Sequence, residues 1–543
     1  MGKTTTLKDV ARPTNPNATA LVELQNSTSK DHPQPFEIKT SISYATLESS
    51  IATISNLLVS QCHIQRGDVI SLVARNCTEF LIAYLGIVSV GASIAPLNPD
   101  YTVDEYEFYI GDLKAKAIVS IYGQEIPAIQ AAASKLNIPI WYVKNNGSKK
   151  DELVLSLEGV DQVHLKQHHV ALPTPDPEDI AMFLHTSGTT SRPKLVPLSH
   201  KNILKSLHNI SNTYELSDTD VTLLVMPLFH VHGLIAALLS TIISGGKVVL
   251  PPNGKFSAST FWPIVKEYKV TWYTAVPTIH QVLLMRAKSD FLPLKQSDPA
   301  AVHLRFIRSC SSALAPSVLT RLEEVFEAPV LEAYGMTEAA HQMASNPLPK
   351  YGSRKIGTVG KAQGLKIAIL DEQCQVLPAE TVGEVCLQGE NVTKGYFNNE
   401  TANQTAFAGG WFHTGDQGKL DSEGYLTLTG RIKELINRGG EKISPLEIDD
   451  ALLGHPQVSE AISFGGPDEK YGEVVYAAVV LSPEARAADT HVTEKELITF
   501  LSERLSKFKV PSKIFFAESL PKNATGKIQR RFVAAHFLEA KKE

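Results

Sequence analysis

Cysteine is scarce in this chain: five in 543 residues, at Cys62, Cys77, Cys310, Cys374 and Cys386, with no CxxC pair. That spacing argues against a disulfide framework or a structural zinc site and fits a reducing compartment, the cytoplasm. An excess of basic residues is missing too. The net charge is -5 and the pI about 6.4, which leaves no footprint for nucleic acid. Long hydrophobic runs are also absent. One long uncharged stretch, Phe80 to Leu97, contains Ser89, Gly91, Ser93 and Pro96. It reads as a helix followed by a short buried strand, not as a transmembrane segment. No secretory signal, internal repeat or low-complexity tract is visible. The final Ala540-Lys541-Lys542-Glu543 is not a peroxisomal Ser-Lys-Leu-type address, and MGKTTT fits the myristoylation pattern at Gly2 only as so short a motif does by chance.

What is present is apolar material in a regular order. With 43% hydrophobic and 20% charged residues, the chain can bury a large core. A polar, proline-containing leader to about residue 36 is expected to precede the fold. Strands and helices then alternate: Val69–Val73, a helix through Tyr84, Ser93–Pro96, Thr102–Leu113 as helix, Ala117–Ile121 as strand. This pattern predicts an α/β sheet with helices on its faces. The prolines of LPTPDPED at 172–179 predict a linker or extended loop. Beyond about residue 355, short strands with Gly and Asp turns (Lys366–Leu370, Gly383–Gln388, Tyr425–Thr429) predict a β-rich subdomain. GRIKELINRGG at 430–440 marks a change of texture and is the expected domain boundary.

Four clusters carry chemistry. LHTSGTTSRPKLVP (184–197) follows the apolar run Ala181 to Leu184, and small hydroxyl residues closed by Lys194 can gather N–H and O–H donors around a polyanion. Pro193 before Lys194 rules out the Walker pattern. EAYGMTE (332–338) places a hydroxyl and a carboxylate after a short strand, oxygen ligands that suit Mg²⁺ beside phosphates. Asp416 in WFHTGD, with Arg431 and Lys433 after Gly430, can clamp ribose hydroxyls. PKNATGK (521–527) is a turn ending in Lys527. Each has a bland reading as loop, helix start or solvated surface, commonest for Lys527 taken alone.

Together and in this order, with MPLFHVHG (226–233) and GRIKELINRGGEKISP (430–445), these motifs make the chain resemble the adenylate-forming superfamily of acyl-CoA synthetases, firefly luciferase and peptide-synthetase adenylation domains. The resemblance covers nearly the whole chain after the leader. It implies a large N-terminal domain (37–430) of two α/β sheets plus the β-rich subdomain, a hinge at 431–436, and a small, mobile α+β C-terminal domain (437–543). It also implies a two-step ligase that uses ATP, Mg²⁺ and coenzyme A. By family pattern Thr186, Ser187, Gly188, Thr189, Thr190 and Lys194 hold the departing phosphates. Thr337 and Glu338 serve the α-phosphate and Mg²⁺, while Ser312, Ala313, Glu332, Ala333, Tyr334 and Gly335 border the nucleotide. Asp416 and Arg431 hold the ribose, and Lys527 bridges carboxylate and phosphate. The C-terminal domain is expected to pivot at Lys433, turning Gly439 and Gly440 toward coenzyme A.

The acid pocket looks polar. Arg308-Ser309-Cys310-Ser311-Ser312 stands where many relatives carry a Gly-rich turn, His341 lies three residues past Glu338 on an expected helix, and His230 and His232 flank Val231. A zinc site from His230 and His232 lacks an indicated third ligand, and His230 has a competing reading as an acyl-site gate. Donors around a small cavity suit a short, doubly charged acid. The same segments resemble the oxalyl-CoA synthetases of plants and fungi, so oxalate is expected, its second carboxylate held by His230, Ser311 and His341. The alternatives are another short-chain, aryl or medium-chain acid, an oxygenase or aminoacyl-adenylating variant of the fold, or an inactive nucleotide-binding interaction protein. Partners are expected to be small molecules, without nucleic acid, for a monomer or homodimer.

Overall fold

The computed structural model describes residues 5–13, 15–28, 34–160, 171–186, 193–300, 302–487, 492–523 and 525–539. Two large sheets form the body. One has seven strands in the order Leu155–Glu158, Ile140–Asn145, Ala117–Ile121, Val69–Val73, Ser93–Leu97, Ile180–Thr186, Lys194–Ser199. Its four inner pairings, from Ile140–Asn145 to Ile180–Thr186, are parallel, and both outer pairings are antiparallel. Strands such as Ala117–Ile121 and Ser93–Leu97 are buried at every residue, as strands covered on both faces must be. The second sheet has nine strands in the order Lys361–Ala362, His341–Ser345, Val330–Met336, Phe306–Ser309, Trp272–Ala275, Val221–Leu223, Lys247–Leu250, Thr19–Asn26, Phe36–Ser43. A continuous apolar core that includes Ile70, Ile94, Leu21 and Val248 joins the two sheets.

Helix Thr78–Ser89 is apolar on all sides and buried at all 12 residues, which is why it belongs in the core rather than at the surface. No helix among the described residues is long and apolar enough to cross a membrane. Its first turn is closed by Glu23, whose Oε2 accepts from both the Thr78 N–H and hydroxyl at 2.8 Å.

Glu23 lies on Thr19–Asn26, which corrects the expected leader at 1–36. That strand pairs parallel with Lys247–Leu250 and antiparallel with Phe36–Ser43, and Leu7, Val10 and Ala11 are buried. The first described residues are thus part of the large domain, held by partners more than 200 positions away.

A four-stranded antiparallel sheet follows (Lys366–Leu370, Gly383–Gln388, Phe412–Leu420, Leu426–Arg431), as the β-rich texture predicts. The chain leaves it at Arg431, makes one 3-10 turn at Ile432–Glu434, and enters the hairpin Ile436–Arg438/Glu441–Ile443 of a five-stranded C-terminal sheet. That sheet has its own apolar core, which includes Ile448, Leu452, Ala477 and Leu497.

Candidate active site

A cavity of about 680 Å³ opens between the large domain and the C-terminal domain. Its walls bring together Ser311, Ser312, Ala313, Glu332, Ala333, Tyr334, Gly335, Asp416, Arg431, Lys433 and Lys527, eleven of the expected site residues. The antiparallel register of Phe412–Leu420 and Leu426–Arg431 sets Asp416 opposite Arg431, with Arg431 Nε 3.1 Å from Asp416 Oδ1. The Tyr334 hydroxyl donates to Asp416 Oδ2. His413 steadies this corner: its Nδ1 lies 2.8 Å from Glu384 Oε2 and its Nε2 3.1 Å from the Ala408 carbonyl. Glu384 Oε1 in turn accepts from the Gly415 N–H at 2.9 Å, pinning the turn before Asp416. Cys386 lies close enough to join Glu384 and His413 as a possible metal cluster. Both His413 ring nitrogens already face oxygen acceptors, however, so the group is a closed hydrogen-bonded pair.

Lys527 comes from the C-terminal domain on a tight turn. Asn523 Oδ1 accepts from the backbone N–H groups of Thr525 (3.1 Å) and Lys527 (2.9 Å), and Gly526 sits at φ +84°. The turn docks on the large domain, the Thr278 hydroxyl donating to the Gly526 carbonyl at 3.1 Å. Burial, then the neighbouring Arg431, pushes the Lys527 ammonium below its ordinary pKa, while Asp416 and Glu434 oppose the shift.

Glu338 is buried on the 3-10 turn Thr337–Ala339. Tyr396 donates to its Oε1 at 2.9 Å, and Lys194 Nζ stands 4.4 Å from the centre of the Tyr396 ring. Burial raises the Glu338 pKa; Arg431 and Lys194 hold it down. Thr186 and Lys194 are paired residues on adjacent antiparallel strands. Ser187, Gly188, Thr189 and Thr190 lie outside the described residues.

Behind the inner wall is a polar cluster. His232 begins the π-helical stretch His232–Leu239. Its Nε2 lies 2.6 Å from Thr274 Oγ1 and its Nδ1 3.0 Å from Ser311 Oγ. His230 Nδ1 accepts the His232 backbone N–H at 3.2 Å, and burial, then Lys527, pushes its pKa down to about 4. His341 stands beside His232, ring centres 5.2 Å apart. It is not on a helix. Ala340 (φ +47°) and His341 (φ +92°) reverse the chain, and His341–Ser345 is a strand antiparallel to Val330–Met336. Gly335 makes room for it: a Cβ there would come within 2.4 Å of the His341 carbonyl. Gly439 (φ +61°) and Gly440 (φ +100°) form the exposed tip of the C-terminal hairpin, outside the cavity walls. Lys433 is exposed on the 3-10 turn between the domains.

Sequence reasoning placed Arg308 in the polar acid-pocket segment without giving it a role, and did not assign Thr274 or Tyr396 to the site. Arg308 is fully buried in strand Phe306–Ser309 and reaches His341 at 3.5 Å. An arginine following the apolar pair Phe306-Ile307 in a strand pattern was the available signal.

This two-domain architecture, with a lysine and an Asp–Arg pair meeting across a cleft, is that of an adenylate-forming enzyme. The chain belongs to the AMP-binding enzyme family: residues 10–397 match the AMP-binding enzyme family and 447–527 its C-terminal domain. It is 50% identical over 506 residues to an oxalate–CoA ligase of Arabidopsis thaliana, covering 92% of this chain and 94% of that one. It is 46% identical to an oxalate–CoA ligase of Saccharomyces cerevisiae, covering 88% of each. ATP-bound MatB from Rhodopseudomonas palustris superposes with a TM-score of 0.83 at 28% identity over 99% of both chains. MenE from Bacillus subtilis, in complex with ATP and magnesium, superposes at 0.76 and 27% identity over 97% of this chain and 98% of that one.

Proposed function

We propose that this chain is an AMP-forming acid–CoA ligase whose acid is oxalate. One oxalate carboxylate attacks the ATP α-phosphate, giving oxalyl-AMP and pyrophosphate; the coenzyme A thiol then displaces AMP to give oxalyl-CoA. In the first step an anion must approach an anion, so the enzyme supplies fixed positive charge and orientation. Lys527 stands where it neutralises the charge that develops between carboxylate and phosphate. Asp416 and Arg431 hold the ribose, and Ser312, Ala313 and the segment Glu332–Gly335 border the adenine. Lys194, with Thr186 and the Ser/Thr/Gly residues between them in sequence, takes the departing phosphates. The oxygen donors of Thr337 and Glu338 suit Mg²⁺, which when bound neutralises phosphate charge at that point. The domains divide at the 431–436 turn. Rotation about Lys433 would withdraw Lys527 after adenylation and bring Gly439 and Gly440 toward coenzyme A.

The observation that carries the substrate is the inner cluster. Ser311 lines the cavity and is bonded to His232 behind it, His341 stands next to His232, and the His341 Nε2 is buried without a hydrogen-bond partner. A long apolar acid finds nothing there to match those groups, whereas a second carboxylate does. The five cysteines, all free thiols and four of them buried, fit a cytoplasmic setting.

The direct test is pyrophosphate release by the full chain with ATP and Mg²⁺, with and without oxalate and coenzyme A. Release is expected to depend on oxalate and to outpace that with acetate, benzoate or octanoate. Oxalate-independent rates sink the substrate assignment, and silence with every acid sinks the ligase.

A further inference from the structure

Arg308 lies on Phe306–Ser309 and is 0% exposed. A buried guanidinium ordinarily sits against a carboxylate, because removing its charge from water costs several kcal/mol unless it is paired. Here the partners are neutral. Nε donates to the Tyr214 hydroxyl (2.8 Å), Nη1 to the Thr274 hydroxyl (3.0 Å), and Nη2 to Gln342 Oε1 (3.2 Å) and toward His341 Nδ1 (3.5 Å). Among the described residues no ion pair includes it, and the groups that support its charge are the Tyr214 hydroxyl and the Cys310 thiol.

Arginine can only donate, which fixes the protons around it. Thr274 Oγ1 accepts from Arg308, and the acceptor within its reach is His232 Nε2, 2.6 Å away. Thr274 therefore donates to His232, which must carry its proton on Nδ1 and donate it to Ser311 Oγ at 3.0 Å. The Ser311 hydroxyl proton is then free to point onward, and Ser311 lines the cavity. On the other arm, His341 accepts at Nδ1 and so bears its proton on Nε2, the buried atom without a partner. Burial, then Arg308, holds both imidazoles well below their ordinary pKa, so each is neutral with one proton to place. The two terminal donors are held in strained backbone: Ser311 at φ +73° and His341 at φ +92°, conformations that a non-glycine residue rarely adopts and that gather at ligand clamps.

We propose that Arg308 is the positioning residue that makes this site select a dianionic acid. It sets the His232 and His341 tautomers so that the Ser311 O–H on the cavity wall is free to turn to the carboxylate that is not adenylated, with the His341 Nε2–H as the unspent donor of the cluster behind it, and it is that carboxylate's distant counter-charge. The proposal deepens the oxalate reading and rests on it.

The experiment compares oxalate with glyoxylate, which replaces one carboxylate by a neutral aldehyde. It uses the full-length wild type, Arg308→Gln, Arg308→Lys and Thr274→Val, in pyrophosphate release. Arg308→Gln is expected to lower the oxalate-to-glyoxylate ratio of kcat/KM by about tenfold or more, through KM for oxalate, with KM for ATP within about twofold. Arg308→Lys should restore part of the ratio, and Thr274→Val, which cuts one arm, should lower it less than Arg308→Gln. An unchanged ratio in an Arg308→Gln protein that keeps its ATP affinity overturns the proposal. Should that variant fail to fold, an unchanged ratio in Thr274→Val does the same. Histidine ¹⁵N spectra of the wild type, assigned with His232→Asn and His341→Asn, separate this from the oxalate reading. The proton is expected on Nδ1 of His232 and Nε2 of His341 whichever acid proves to be the substrate. The opposite tautomers refute the relay, whereas these tautomers in an enzyme inert toward oxalate leave the relay standing and remove the selectivity.

Discussion

Lys527 is a cation placed among cations. Arg431 and Arg530 both lower its pKa, Asp416 and Glu434 raise it, and burial outweighs all four. The ammonium is therefore stabilised less by the protein than by an anion arriving between carboxylate and phosphate, which is what favours the transition state over the resting site. Lys527→Ala should cut oxalate-dependent pyrophosphate release by about 10²–10³-fold. Thioester formation from supplied oxalyl-AMP should stay within about threefold, because that step does not use the lysine. Single-turnover measurements of the two half-reactions decide it; equal losses would mean that Lys527 serves both. The sign of the pH effect follows from the lowered pKa. The lysine is charged and active at lower pH, so the alkaline limb of adenylation should fall below the ordinary lysine value of 10.5.

At the level of elements, the acid pocket depends on one strand passing close behind another. Gly335 on Val330–Met336 faces His341, and a Cβ would meet the His341 carbonyl at 2.4 Å and its Nδ1 at 2.9 Å. Neither strand can shift freely, since each is bonded into the nine-stranded sheet. Gly335→Ala should therefore displace His341 and raise KM for oxalate by about tenfold or more, with a smaller effect on KM for ATP. A larger effect on ATP would place Gly335 in the nucleotide site alone. Strand-by-strand, the sequence was readable where local pattern decides. Val69–Val73, Ala117–Ile121 and Gly383–Gln388 are β-branched or apolar runs between breakers, and they form the expected strands. It was unreadable where partners are remote. Thr19–Asn26 lies in a polar neighbourhood, and its neighbour Lys247–Leu250 is far along the chain. EAAHQM reads as helix by propensity, yet two left-handed residues, Ala340 and His341, turn it into a strand. The residues that meet at the cavity, such as Tyr334, Asp416, Arg431 and Lys527, were legible because each sits in its own short motif. The role of Arg308 was not, because five segments define it: Tyr214, Thr274, Arg308 itself, His341–Gln342 and, through His232, the π-helical stretch.

Across the whole molecule, the C-terminal domain meets the cleft with like charges. Asp450 faces Glu332 over the cavity, with Asp449 beside it and Arg530 bonded to Asp449 at 2.6 Å. Burial, then Asp450, raises Glu332 to about 8; burial, then Asp449, raises Asp450 to about 7, while Arg530 lowers it. The strain between the domains thus falls mostly on Glu332, which has no arginine of its own and whose Oε2 is buried without a hydrogen-bond partner. In the proposed rotated arrangement both carboxyls return toward their ordinary values, 4.5 and 3.8. The closed arrangement accordingly binds more protons than the open one. Its advantage is fully present below the open-state values and is lost as pH rises through about 7 and 8. Closing would favour adenylation on the acid side, and opening for the coenzyme A step would become easier on the alkaline side. Limited proteolysis of the 431–436 turn between pH 6 and 9 reads the balance directly, with cleavage expected to accelerate above about pH 7.5 in the wild type. Asp450→Asn removes one charge without removing volume, so its cleavage rate should vary less over the same range. If both proteins are cut at rates that do not change with pH, the facing carboxyls do not bias the domains, and rotation is governed by the ligands alone.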